Sequence, residues 1–276
     1  MPTLALTAFG GSPGKRTSET ARAAAWAGAK VAPHASAVRV SALAQRRAVE
    51  RLIRLQLPVY CAGSRGRYVA LTFDDGPSVL TPQFHALLRR AGARATFFIV
   101  GGNMPSPTLA ALARKDAQVG ALGDHTWSHA NLKDLPEADV VAEIGRAKKA
   151  IVAATHAPVL LFRPPFAGHS ATVGAVARSM GMLEILWNVD SRDWSGIDWR
   201  KITDNVAPGL EPGSIILMHD TRSETVKALR YGILPELRLR GLKAVTLPEL
   251  FALDPPSEEQ VRADAARGAC SHQYGG

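Results

Sequence analysis

Two adjacent carboxylates stand at the end of an apolar run in residues 68–77, YVALTFDDGP. Residues 69–73 are aliphatic, β-branched or aromatic, which predicts a buried strand, and Asp74 and Asp75 follow before a Gly-Pro turn. Two carboxylates this close repel each other, which raises the pKa of one of them unless a nearby cation offsets the repulsion. The pair therefore indicates either an Asp-rich turn after an ordinary strand or a site for a metal ion and acid–base chemistry.

Two histidines, His125 and His129, bracket the run HTWSH. If this run forms one helical turn, both imidazoles share a face and can hold one cation. The alternative is a coincidence of two surface residues. With a carboxylate at the same place, a site of two histidines and one carboxylate is the better interpretation. Three protein ligands leave a position for water, as in catalytic zinc sites.

Three further polar residues follow apolar runs. Arg163, which precedes two prolines, is either a surface residue beside a stiff turn or a cation that holds and orients a carboxylate. Asp193 and His219 are either a capping Asp and a strand-end His, or a carboxylate–imidazole pair that forms a tuned general acid. Asp190 also follows one of these runs.

Strand and helix patterns alternate along residues 68–246. The predicted strands are 69–73, 95–101, 118–122, 159–162, 183–189, 214–218 and 242–246, and the predicted helices are 81–91, 106–115, 137–154, 172–180, 199–206 and 224–240. This alternation predicts an α/β fold, a (β/α) barrel of about seven parallel strands joined by crossover helices. Because the polar groups follow the strands, we expect them at the carboxyl ends, where the active sites of such barrels lie.

The basic charge of the chain is concentrated in its first quarter. Residues 1–67 hold 11 Lys and Arg against two acidic residues, whereas residues 68–276 hold 22 of each sign. An anionic partner would therefore concern only the first segment. The neutral remainder lacks interleaved aromatic and basic residues, which argues against nucleic-acid binding. No run of 18 apolar residues occurs, so no transmembrane helix is expected.

The chain divides by composition into four segments. Residues 1–40, rich in Ala and Arg, are interpreted as a disordered or processed leader without a clear signal peptide. Residues 41–65 form an arm, since 41–57 carries apolar residues at helical spacing and predicts a helix docked on the body. Residues 66–253 contain the motifs, and residues 254–276 are a C-terminal tail.

The two cysteines, Cys61 and Cys270, lie just outside the two ends of the body. They are either a disulfide that clamps the ends, which implies an oxidising compartment, or two unrelated thiols.

Five motifs together resemble, in order and spacing, those of the polysaccharide deacetylases, metal-dependent esterases of carbohydrate esterase family 4 with a NodB-homology domain. They are TFDDGP (72–77), HTWSH (125–129), RPPFAG (163–168), DSRDW (190–194) and LMH (217–219). The resemblance covers residues 66–252 and implies a distorted (β/α) barrel. It also implies hydrolysis of the acetyl groups of N-acetylated sugars in a polysaccharide, which are linear amides, or else of O-acetylated sugars. Peptidoglycan N-acetylglucosamine comes ahead of chitin oligomers and acetylxylan.

The resemblance implies a role for each motif residue. A divalent cation, Zn²⁺ or else Co²⁺, would be held by Asp75, His125 and His129. Asp74 would be the general base and His219 the general acid. Arg163 would orient Asp74, and Asp193 would pair with His219.

The resemblance also implies where substrate binds. Leu217 and Trp194 would wall a small pocket for the acetyl methyl group, beside Pro165. A backbone N–H near Phe166 would complete the oxyanion site. The third motif departs from the usual Arg-Pro-Pro-Tyr-Gly, since Phe166 and one extra residue, Ala167, precede the glycine.

Two statements about the whole protein follow from the same resemblance. We expect a monomer, extracellular or associated with the cell wall, whose partner is the acetylated polysaccharide. The alternative is a catalytically weak carbohydrate-binding protein on the same fold, against which the intact set of motif residues argues.

Overall fold

The computed structural model describes residues 40–270. The leader predicted for residues 1–40 therefore lies outside the described residues except for its last position, and so do residues 271–276 of the predicted tail. Along the described part of the chain, no helix combines the length and the apolar character needed to cross a bilayer.

In residues 40–270, eight parallel strands form one curled sheet, which confirms the predicted α/β barrel fold. Their order is β5-β4-β3-β2-β1-β7-β6, and β8 lies beside the first residues of β1. Parallel neighbours require crossover connections, and helices supply most of them. The strands are β1 (Tyr68–Gly76), β2 (Ala95–Ile99), β3 (Gly120–Asp124), β4 (Val159–Phe162), β5 (Leu183–Glu184), β6 (Val189–Asp190), β7 (Ile215–His219) and β8 (Lys243–Ala244).

The single strand predicted for residues 183–189 is wrong. Its two ends are separate short strands at opposite ends of the sheet path, β5 on β4 and β6 on β7. Between them the backbone crosses the opening of the barrel, where Val59 pairs with Ile185 and the Asn188 side chain accepts the N–H of Ile215 at 2.7 Å. An apolar run carries no signal for this change of neighbour, so periodicity predicted one strand.

Ten α-helices lie in the described residues, and those predicted from the barrel pattern are present with small shifts at their ends. The predicted helix 224–240 is the main exception, because a π-helical turn, Leu229–Ile233, divides it. Pro235 follows this turn and has no N–H to continue the α-helical bonding. The helices are α1 (Ala42–Ile53), α2 (Thr81–Ala91), α3 (Pro107–Val119), α4 (Glu137–Thr155), α5 (Ala171–Ser179), α6 (Trp199–Val206), α7 (Ser223–Ala228), α8 (Leu234–Leu239), α9 (Leu247–Leu253) and α10 (Glu258–Arg267).

The segments on either side of the barrel are joined to it. Helix α1 buries Val49 and Leu52 in a core cluster that also contains Leu250 of α9 and Val261 of α10. Within residues 254–276, for which the sequence predicted only a tail, the described part thus contributes helix α10 to the core.

A disulfide links Cys61 to Cys270, with the two Cα atoms 5.8 Å apart. It ties the residues before β1 to those after α10, and the pair is buried against Leu186. The alternative of two free thiols is therefore wrong.

Candidate active site

The end of β1 presents both of its carboxylates to one place. Successive side chains of a regular strand point to opposite faces, yet Asp74 Oδ2 and Asp75 Oδ1 lie 3.7 and 3.6 Å from Nε2 of His125. The backbone of Asp75 explains this, because its φ of 73° is left-handed and the register of β1 against β2 shifts between Phe73 and Gly76. The local break in the pleat lets adjacent acids share a site.

The HTWSH run is a loop, so the predicted helical turn is wrong. Thr126 and His129 have positive φ values of 66° and 60°. Asp124 accepts the N–H of Thr126, and Glu143 of α4 accepts the N–H groups of both Trp127 and Ser128. These acceptors shape the loop, and it brings the two imidazoles to the same carboxylate by a route that sequence spacing did not predict.

His125 is buried, and its ring is oriented through Nδ1. This nitrogen lies 2.7 Å from the carbonyl oxygen of Arg163, to which it can only donate. Nε2 therefore keeps its lone pair on the side of Asp75. Burial lowers the pKa of His125, which favours the neutral imidazole that a metal requires.

The three residues predicted to hold a metal come together. The ligand atoms of Asp75, His125 and His129 all lie within 4.8 Å of one another. Asp75 Oδ1 is buried without a hydrogen-bond donor and lies 3.1 Å from Nε2 of His129. Burial would raise the pKa of Asp75, but the adjacent His129, His125 and His219 lower it to about 2. An anionic carboxylate oxygen that accepts no hydrogen bond lies here between two imidazole nitrogens. These three atoms together are a set of metal ligands that suits a divalent cation.

Asp74 is held from the opposite side by Arg163. Nη1 of Arg163 donates to Asp74 Oδ1 at 2.9 Å, and both side chains are almost wholly buried. The sequence alternative of a surface arginine is therefore wrong, because Arg163 has 0% exposure.

His219 lies opposite Asp74 on the neighbouring strand β7 and pairs with Asp193. Its Nδ1 is 2.6 Å from Asp193 Oδ1, while Asp193 Oδ2 accepts the backbone N–H of His219 and the hydroxyl of Thr225. Burial opposes the imidazolium, but the hydrogen bond that His219 donates to Asp193 and the charges of Asp193, Asp74 and Asp75 raise the pKa of His219 to about 9. Asp190 instead caps the N–H of Arg192.

The residues predicted to bind substrate differ in exposure. Phe166 is 70% exposed, and its ring centroid lies 4.8 Å from that of His129. Trp194 is 49% exposed, so both aromatic rings are open to solvent near the site. Pro165 is buried, and so is Leu217, which strand alternation places on the same face of β7 as His219.

Sequence reasoning missed three supporting side chains. Glu143 shapes the histidine loop, Thr225 donates to Asp193, and the Thr72 hydroxyl lies 2.7 Å from Nη1 of Arg163. Thr72 stood inside a recognised motif and Thr225 just after one, yet their partners are 91 and 32 residues away. No short-range signal could have paired them.

Comparison with known proteins identifies relatives of one kind. A family model described as polysaccharide deacetylase matches residues 62–185. The chain is similar to a peptidoglycan-N-acetylglucosamine deacetylase of Bacillus cereus, at 36% identity over 192 residues, covering 67% of this chain and 88% of that protein. It is also similar to a chitooligosaccharide deacetylase of Azorhizobium caulinodans, at 32% identity over 197 residues, covering 65% of this chain and 92% of that protein.

One similar solved structure is a CE4 family pseudoenzyme from Bacillus anthracis. It matches with a TM-score of 0.67 and 27% identity, covering 72% of this chain and 69% of that chain. Some relatives are longer, and the chain spans only 41% of a Listeria monocytogenes peptidoglycan-N-acetylglucosamine deacetylase to which it is 31% identical.

Proposed function

Because this chain belongs to the polysaccharide deacetylase family, we propose that it hydrolyses the acetyl amides of N-acetylated sugars in a polysaccharide and requires a divalent metal. One observation carries the proposal. A three-ligand group (Asp75, His125 and His129) has an Asp–Arg pair against it, and His219 at the end of the adjoining strand pairs with Asp193. Amide hydrolysis needs an activated water, a base and an acid, and this arrangement has a candidate for each.

We propose that Asp75, His125 and His129 hold the cation, Zn²⁺ or Co²⁺. When bound, such a cation polarises a carbonyl oxygen and makes a water molecule nucleophilic near neutral pH. The protein's contribution is the donor set itself, since the Arg163 carbonyl fixes the ring of His125 with Nε2 toward Asp75.

Asp74 is the proposed general base. Its Oδ1 is occupied by Arg163, which leaves Oδ2 facing the ligand group, 3.7 Å from Nε2 of His125. A carboxylate fixed through one oxygen can take a proton with the other without losing its orientation. Arg163 is thus proposed to orient the base, and it does not itself meet the substrate.

His219 is the proposed general acid, which protonates the sugar nitrogen as it leaves. A pKa raised to about 9 keeps its imidazolium populated at neutral pH. Asp193 holds Nδ1, so Nε2 is the nitrogen that gives up the proton. Amines are poor leaving groups unless protonated, and general acid–base catalysis of this kind contributes about 10²–10⁴-fold.

The substrate proposal rests on the relatives and on the exposed rings. Two relatives are named for peptidoglycan N-acetylglucosamine and one for chitooligosaccharides, so we propose peptidoglycan first, then chitin oligomers, with acetylxylan as the O-acetylated alternative. Phe166 and Trp194 would contact the sugar chain, while Leu217 and Pro165 would line the acetyl pocket. The backbone N–H of Phe166 is proposed to bind the oxyanion.

We propose an extracellular or cell-wall location, which the Cys61–Cys270 disulfide supports because such bonds persist in oxidising compartments.

Acetate release tests the proposal against the alternative of a catalytically weak carbohydrate-binding protein. This alternative needs a test because one similar structure is a pseudoenzyme. The protein is stripped of metal, reloaded with zinc or cobalt, and incubated with peptidoglycan, chitin oligomers and acetylxylan. We expect metal-dependent acetate release from peptidoglycan or from chitin oligomers, whose acetyl groups are amides. Release from acetylxylan alone would indicate an O-acetyl esterase instead. Binding to a glycan without acetate release in any metal form would favour the alternative and refute the proposed function.

A further inference from the structure

The guanidinium of Arg163 is enclosed by four acceptors, of which only one carries a charge. Nη1 donates to Asp74 Oδ1 and to the Thr72 hydroxyl, Nε to the carbonyl of Ile185, and Nη2 to the carbonyl of Leu186. We propose that Thr72 is a positioning residue for the deacetylation, acting on the base Asp74 through Arg163. This inference rests on the proposed function.

The hydroxyl of Thr72 has a fixed direction. It donates to the carbonyl oxygen of Ile216 on β7 at 2.6 Å and accepts from Nη1 of Arg163 at 2.7 Å. Because its single proton is committed to Ile216, the oxygen can only present a lone pair to Arg163. Thr72 also lies on the same face of β1 as Asp74, two residues further on, so one strand holds both acceptors of Nη1.

The other two acceptors come from the interrupted strand. Pairing between β4 and β5 stops at Glu184, which leaves the carbonyls of Ile185 and Leu186 free to face Arg163. These carbonyls hold the far edge of the guanidinium, and Thr72 holds the edge that touches Asp74. Of these three uncharged acceptors, only the Thr72 hydroxyl belongs to a side chain, so it is the one that a substitution can remove without altering the backbone.

Loss of the hydroxyl would leave an N–H of Nη1 buried without an acceptor, since Arg163 has 0% exposure. A buried donor of this kind is costly, and the guanidinium can recover a partner only by turning. Turning it carries Asp74 Oδ1 along, because the two are joined at 2.9 Å. The carboxylate of Asp74 would then be misoriented for accepting a proton, while Asp75 and the two histidines keep their own contacts.

The chain contains a matched control for this test. Thr96 is the register partner of Thr72 on β2, is equally buried, and accepts the N–H of Leu247 at 3.0 Å. Thr72→Val and Thr96→Val therefore make the same isosteric change at neighbouring buried positions. Only Thr72 contacts Arg163, and Thr72→Ser restores the hydroxyl.

The kinetic experiment compares these variants in the zinc-loaded full chain, below the melting temperature of each. We expect Thr72→Val to lower kcat about tenfold, a factor that corresponds to about 1.4 kcal/mol, with KM and zinc content unchanged. Thr72→Ser and Thr96→Val should retain kcat. In an Arg163→Gln background, Thr72→Val should cause no further loss. Wild-type kcat in Thr72→Val, or a further tenfold loss in that background, would overturn the inference.

A second measurement does not depend on activity. In metal-free protein labelled with ¹⁵N-arginine, the Nη protons of Arg163 should exchange with solvent faster in Thr72→Val than in wild type or Thr96→Val. If Thr72→Val folds poorly, Thr72→Ala removes the same hydroxyl and takes its place in both experiments. A wild-type protein that releases no acetate would refute the proposed function, whereas unchanged exchange in the variant would refute the role of Thr72.

Discussion

The candidate site has two sides that differ in whether their hydrogen bonds are complete. On the ligand side (Asp75, His125 and His129), Asp75 Oδ1 is buried without a donor between two imidazole nitrogens. On the proton-transfer side (Asp74, Arg163, Asp193 and His219), each carboxylate is held by direct hydrogen bonds. The carboxylates of the proton-transfer side therefore find their partners within the protein, whereas the ligand side keeps one buried carboxylate oxygen that the proposed cation would bind.

Asp74 and Asp75 are adjacent residues of the same type, yet their surroundings in the structure differ. Their side chains are 4% and 25% exposed, and only Asp74 meets an arginine. The left-handed backbone at Asp75 turns its carboxylate to the histidines. Two neighbouring acids can therefore take different roles, and variants of each should fail in different ways.

Removal of a ligand should have the largest effect. We expect His125→Ala to lose the bound metal and all detectable acetate release, because two remaining ligands hold a cation poorly. Metal analysis and acetate assays after dialysis measure both. His156→Asn is a control, since His156 is an exposed helix cap whose left-handed backbone Asn tolerates. Full activity after exhaustive chelation of the wild type would sink the metal-dependent mechanism.

Removal of the base should separate the two sides. We expect Asp74→Asn to keep its metal and to lose turnover by about 10²–10⁴-fold, because it removes a proton acceptor and not a ligand. Asp75→Asn should instead lose the metal. Equal metal loss in both variants, measured by metal analysis, would show that the two carboxylates do not divide their roles as proposed.

The sequence predicted which residues form the site but not the backbone conformations that orient them. Hydrophobic periodicity predicted most strands and helices, and the order of the motifs predicted that the seven proposed metal and proton-transfer residues meet at the carboxyl ends of the strands. Neither signal could predict the left-handed backbones of Asp75, Thr126 and His129. Those depend on tertiary contacts, such as the two N–H bonds that Glu143 accepts from another element.

The strand predicted for residues 183–189 failed for the same physical reason. Most of its residues suit a strand, and only the neighbours available in space decide that Ile185 pairs with Val59 instead of continuing along β4. Its free carbonyls then hold Arg163, so the error lay beside the site. Hydrogen bonds between distant residues fix such details, and no local pattern encodes them.

Removal of the acid should have a smaller effect than removal of the base. We expect His219→Ala to lower kcat about 10²-fold, at the low end of general acid contributions, because solvent reaches this side chain, which is 12% exposed. KM should change little, since the contact forms chiefly in the transition state. Steady-state kinetics measures the split. A rise in KM with unchanged kcat would instead indicate a substrate-binding role.

The smallest change should appear in a pH profile. Asp193 supports the imidazolium of His219 by a hydrogen bond and by charge, and against the opposing effect of burial the pKa reaches about 9. A general acid works only while protonated, so activity should fall as the pH rises through this pKa. Asp193→Asn removes the charge, so the pKa should fall and the alkaline limb of kcat should move to lower pH.

The acid limb should stay in place in this variant, because Asp193→Asn leaves the proposed base Asp74 and the ligand side untouched. Thr225→Val is the matched control, since it removes one donor to Asp193 Oδ2 and leaves the carboxylate charge. It should leave the alkaline limb within a few tenths of a pH unit of the wild type, on the order expected of a neutral contact. Rate profiles from pH 5 to 10 with metal content measured at each end decide the matter. An alkaline limb that stays put in Asp193→Asn would mean that Asp193 positions His219 without tuning it, and the buried Asp220 would be the next carboxylate to replace.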